Sequence, residues 1–119
     1  MRLNVGRTLF RTMEKNVIKV SVLYPNREGS KFDMDYYLNT HIPLVQGKLG
    51  DACKNVTVEE GLGGAAPGAP ATYVAMGHML FDSVDTFQAA FGPHAEAIMG
   101  DLPNFTDTEP TIQVSAVKL

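Results

Sequence analysis

The segment from Tyr73 to Phe81 is apolar on both of its alternations, with Tyr73, Ala75, Met79 and Phe81 on one parity and Val74, Met76 and Leu80 on the other. Such a run reads as a strand covered on both faces, so whatever sheet contains it must be packed above and below. The chain has 119 residues, 45% of them apolar, which suffices for one core and is short for two domains.

The flanking segments define the rest of that sheet. Val17 to Tyr24 alternates Ile18, Val20, Val22 and Tyr24 with Val17, Lys19, Ser21 and Leu23, the period of a half-buried strand. Asn55 to Glu60 predicts a short strand, and Pro110 to Val117 a closing one with Ile112, Val114 and Ala116 opposite Gln113, Ser115 and Val117. Ser83 caps a helix whose Val84, Phe87, Phe91, Ala95 and Ile98 recur at helical spacing, with Gly92-Pro93 bending it and Gly100 ending it. The order βαββαβ predicts an α+β, ferredoxin-like domain with a four-stranded antiparallel sheet and both helices on one face. Its other face would carry Ser21, Leu23, Gln113, Ser115, Val117 and one parity of Tyr73–Phe81. That surface is too apolar to stand bare and too polar for a dry core, so a second copy's sheet is expected to cover it in a symmetric homodimer that encloses a cavity.

The first helix carries the chemistry. Asp33 is a good N-cap, Asp35 adds negative charge to the first turn, and Phe32 can staple against Tyr37. Stepping about 100° per residue, Met34, Tyr37, Leu38, His41, Ile42, Leu44, Val45 and Leu49 form one apolar arc, and Gly50 stops the helix. Pro43 removes the N–H that would bond the Asn39 carbonyl, which predicts a bend or a restart beside His41. His41 in that arc is a candidate general acid or base, with Tyr37 one turn earlier as hydrogen-bond donor or substrate contact. The competing reading is a histidine that satisfies a carbonyl freed near Pro43. Tyr36 points away from the arc, toward surface or interface.

Further candidates are His78, on the parity of Val74, Met76 and Leu80, and the polar loop before the last strand, with Asp101, Asn104, Phe105, Thr106 and Asp107. Asp101 or Asp107 could orient His41, although Asp and Asn are also ordinary turn residues. His94 reads as surface or packing. Gly61-Leu62-Gly63-Gly64 opens no helix and runs into Pro67 and Pro70, so it is a loop rather than a dinucleotide site, with a lid role left open. The methionines at apolar positions read as adaptable core.

Several classes are excluded. No run of about 18 apolar residues predicts a membrane span, and no apolar segment after the basic start suggests secretion. With Cys53 alone, an internal disulfide is ruled out and a cytoplasmic location is expected. Net charge of −3 argues against nucleic acid as partner. Residues 1–15 hold Arg2, Arg7, Arg11 and Lys15 against Glu14, and read as an N-terminal extension to a domain over 16–119. The histidines lack metal-ligand spacing, so no metal site is predicted. No flavin or nicotinamide motif is present and no cofactor is predicted; since one histidine can ligate haem, haem stays among the alternatives.

Phe32-Asp33, Tyr36-Tyr37, His41-Ile42-Pro43-Leu44, Leu80-Phe81-Asp82-Ser83 and Asp101-Leu102-Pro103-Asn104-Phe105-Thr106-Asp107 recur in an order that resembles the EthD family, over about Val17 to Val117. The family is named for a protein encoded with a cytochrome P450 system for ethyl tert-butyl ether degradation. The resemblance implies a dimeric α+β barrel, a small apolar organic ligand and a place in oxidative or degradative metabolism. It also implies relatives among isomerases, cyclases, cofactor-free monooxygenases and haem-handling enzymes. Fold kinship does not name the reaction. The expectation is cofactor-free acid-base chemistry at His41 and Tyr37. Its rivals are a carrier or accessory of a P450 system without chemistry of its own, and a purely structural dimerisation domain.

Overall fold

The computed structural model describes residues 17–119. The expected extension over 1–15 lies outside them. Strands β1 (Ile18–Pro25), β2 (Asn55–Glu60), β3 (Tyr73–Phe81) and β4 (Thr111–Ala116) form one antiparallel sheet in the order β2-β3-β1-β4. The doubly apolar β3 and β1 are the two inner strands, as their composition requires.

Helix α1 (residues 34–49) starts where the Asp33 carboxylate accepts from the Tyr36 N–H at 3.0 Å. Phe32 and Tyr37 close the predicted staple, with ring centroids 5.1 Å apart. Pro43 does not break the helix. Residues Tyr37–His41 form a π turn, closed by the Ile42 N–H on the Tyr37 carbonyl, and α-helix resumes over Ile42–Leu49. The wider turn makes room for the proline ring near the Asn39 carbonyl, which an unbroken α-helix would not. It also rotates the face from ideal spacing: Tyr37, His41, Val45 and Leu49 are buried, but Leu38 is 45% exposed, so its place on the apolar arc is corrected. Gly50 ends the helix at φ 59°. Helix α2 (residues 84–100) begins at Ser83, which accepts from the Thr86 N–H, and passes through a 3-10 turn at Gly92–His94.

Both helices lie on the sheet face that carries Ile18, Val20, Ala75 and Phe81. Their apolar residues make two core clusters. One joins Ile18, Val20, Val45, Leu49, Phe81 and Ile98; the other joins Tyr24, Tyr37, Ala75 and Phe105. No helix among the described residues is long and apolar enough to cross a membrane.

Phe81 is fully buried in the first cluster and packs on Phe87 at 5.0 Å between ring centroids. Phe81→Ala should lower unfolding free energy by about 3–5 kcal/mol, measured as a shift of the urea midpoint with little change in slope.

Candidate functional site

Between the two clusters the sheet and helices do not close on each other, and His41 and Tyr37 sit at that gap. Both are buried, at 4% and 2% exposure, and one turn apart their rings stack with centroids 5.6 Å apart and planes 16° from parallel. The Tyr37 hydroxyl rests on Gly77 of β3, where any Cβ would collide with it. Phe105 closes the other side of His41 at 4.6 Å between centroids.

Asp101 holds the imidazole. Its Oδ2 pairs with His41 Nδ1 at 2.9 Å, while its Oδ1 accepts from the Tyr36 hydroxyl at 2.7 Å and from Asn104 Nδ2 at 2.8 Å. Desolvation pushes this carboxyl up, but the hydrogen bonds from Asn104, Tyr36 and His41, with the His41 charge, outweigh it and hold the group below the usual carboxylate range. An ionised Asp101 can only accept, so Nδ1 carries a hydrogen and Nε2 of the neutral ring is left with its lone pair. Among the described residues no buried side-chain polar atom lacks a partner, and none bonds Nε2, so that nitrogen opens onto accessible space.

That space is a cavity of about 90 Å³. Val20, Val22, Gly77 and Met79 form its floor, Val45, Phe91 and Ile98 its roof, and Met99, Leu102 and Ile112 its outer end. It takes several waters or a small organic molecule. Burial pushes Tyr37 up to about 12, partly countered by Tyr24, so its hydroxyl stays a donor at neutral pH. Burial likewise raises Tyr24.

The 101–107 loop is fastened to the start of α1. The Asp33 N–H donates to the Phe105 carbonyl at 2.7 Å, Thr106 Oγ1 donates to the Lys31 carbonyl at 2.8 Å, and Asp107 accepts from the Lys31 N–H at 3.0 Å. Of the two acids offered as partners for His41, the structure brings Asp101 to it and gives Asp107 to the loop. The imidazole does not serve a carbonyl freed beside Pro43. Tyr36, expected at surface or interface, is partly exposed and also donates to Asp101, and that bond raises its own hydroxyl. His78 lies apart: its ring is on the open sheet face, with Nδ1 2.8 Å from Ser21 Oγ and Nε2 3.3 Å from Glu59 Oε1, so it borders the cavity only through the strand's main chain. No residue of the 61–72 connection lines the cavity. Sequence reasoning passed over Gly77, although a lone glycine inside an apolar strand signals a close approach. No group of three or more His, Cys, Asp or Glu that could hold a metal occurs among the described residues.

A family model described as the EthD domain matches residues 29–109. An EthD-like protein from Ralstonia eutropha is 46% identical, with a TM-score of 0.85 over 88% of this chain and 95% of that one. An ethyl tert-butyl ether degradation family protein from Bacillus halodurans is 22% identical, with a TM-score of 0.64 over 83% and 96%. A dimeric protein of unknown function and ferredoxin-like fold from Bacteroides fragilis is 15% identical, with a TM-score of 0.54 over 86% and 97%. The last two likenesses concern the fold. No curated protein matches the chain.

Since Asp101 titrates lower when folded than when unfolded, the stability it brings is complete above about pH 4 and drains as pH falls through the folded value. Asp101→Asn should cost about 1–3 kcal/mol at neutral pH and flatten that acid limb, measured by urea unfolding between neutral pH and pH 3.

Proposed function

The chain belongs to the EthD family, and from that premise we propose that it binds a small, largely apolar organic molecule between sheet and helices and acts on it by proton transfer without a bound cofactor. One observation carries this reading: a histidine oriented by a carboxylate, with its other nitrogen open to an apolar cavity beside a protonated tyrosine hydroxyl. His41 is the acid or base, and Asp101 fixes its tautomer and steadies the imidazolium that forms. Tyr37 donates to the oxygen on which charge develops. Asn104, Tyr36 and Phe105 position this set. Isomerisation, cyclisation and the deprotonation that precedes cofactor-free oxygenation all begin with such a step.

We also infer that the protein works as a homodimer. Leu23, Val74, Met76 and Leu80 share the helix-free face with Ser21, His78 and Gln113, and a second copy's sheet matches that mixture. The dimeric description of the Bacteroides fragilis protein favours the same assembly.

His41→Gln should abolish turnover of whatever molecule an organic extract of the purified protein yields, with the circular dichroism spectrum unchanged. Retained turnover would eliminate acid-base chemistry at His41, and an unaltered ligand with tight binding would make the cavity a carrier. In light scattering at micromolar concentration the mass should be twice the chain's 12.9 kDa; a monomer would sink the paired-sheet argument.

A further inference from the structure

The cavity's lining also limits what can enter it. None of the described residues that line it is Lys, Arg, Asp or Glu, and among them the titratable side chains facing inward are those of His41, Tyr37 and Tyr24. An anion placed there would lose its hydration and find no positive charge in return, because any charge on the imidazole is already matched by Asp101 at 2.9 Å. An ammonium fares no better. The Asp101 carboxylate is behind the imidazole, with its oxygens already taken by Tyr36, Asn104 and His41.

The Tyr24 hydroxyl is engaged with that of Tyr37, and the two polar groups that remain ask for opposite things. Tyr37 offers a hydrogen and needs an acceptor, while Nε2 of neutral His41 offers a lone pair and needs a hydrogen. They sit one helical turn apart with rings 16° from parallel and both line the cavity, so one bound molecule can meet both. A carbonyl compound with hydrogens on its α carbon meets both demands: its oxygen accepts from Tyr37 and its acidified C–H faces His41.

We propose that the site is selective for small uncharged carbonyl compounds and excludes carboxylates, a substrate class that rests on the acid-base reading above. In the step so defined, Nε2 takes the α hydrogen as a proton. The C–H bonding pair becomes the C=C of an enol or enolate, and the carbonyl π pair moves onto oxygen, where the Tyr37 O–H donates. The proton returns from the imidazolium to the same or a conjugated carbon, so no oxidant or reductant is needed. Met99, Leu102 and Ile112 limit how long a ligand can be, since they border the end of the cavity where Met99 and Ile112 are partly exposed.

The test uses three molecules of nearly equal shape: butanone, propanoate and 2-methylbut-1-ene. Saturation-transfer NMR on the intact protein should show butanone bound in preference to the other two, with its Kd raised about two- to tenfold in Tyr37→Phe. Propanoate binding as well as butanone, or butanone not binding, overturns the proposal. In D2O the wild-type protein should incorporate deuterium next to the butanone carbonyl at least about tenfold faster than buffer, and His41→Gln should not. Selective binding of butanone without exchange would leave the neutral-carbonyl class standing and remove the proton-transfer reading instead.

Discussion

The Asp101 carboxylate is the joint on which the site hangs. It lies 60 and 65 residues from His41 and Tyr36 in sequence, and gathers donors from both as well as from Asn104 beside it. A largely buried charge is tolerable only when its lone pairs are occupied, so the loop before β4 and the helix α1 are held to one relative position. That position drives Phe105 against His41 and Tyr37, and the imidazole is clamped by packing as well as by its hydrogen bond. The same contact decides which nitrogen meets the cavity. Loss of it would leave a histidine free to rotate in an apolar pocket with no preferred tautomer.

How much of this could be read from the sequence depends on how local each cause is. The strands, the Asp33 cap, the Phe32–Tyr37 staple and the Ser83 cap follow from spacings of a few residues, and each is found where those spacings put it. The family and the ferredoxin-like fold were legible too, through motifs that recur in order. Pro43 announced a disturbance without its form. Whether the helix breaks or widens depends on where the Asn39 carbonyl can go, and the π turn that resulted moved Leu38 outward. Asp33 and Asp101 show the limit well. Both are acids next to a turn, and turn chemistry alone assigns them the same local duty, yet one caps a helix and the other reaches across the fold. Only the folded chain distinguishes them.

The sheet gives its two faces different work. Toward the helices, alternate residues of β1 and β3 supply an apolar floor interrupted at Gly77, so that Tyr37 can descend onto the backbone. Toward the open side, the intervening residues place Ser21, His78 and Glu59 in a chain of polar contacts among Leu23, Met76 and Leu80. A histidine satisfied on both nitrogens is a poor candidate for proton transfer and a good one for tying β1, β2 and β3 together on that face. The doubly apolar character of β3 thus has two unrelated sources, core on one parity and, in the proposed homodimer, the covered face on the other.

The cavity's position relative to the helices explains how such a scaffold could serve different molecules. Helices α1 and α2 leave the inner face of the edge strand β4 partly bare, with Ile112 at 46% and Met99 at 37% exposure where the cavity meets solvent. Side chains there pack against little, so their size can change at small cost in stability. His41, Tyr37, Gly77 and Asp101 are instead locked by burial, close approach and hydrogen bonding, and a change in any one displaces another. In the proposed acid-base reading, the residues that limit ligand size and those that carry the chemistry are therefore separate, one set at the rim of the sheet and one centred on the π turn.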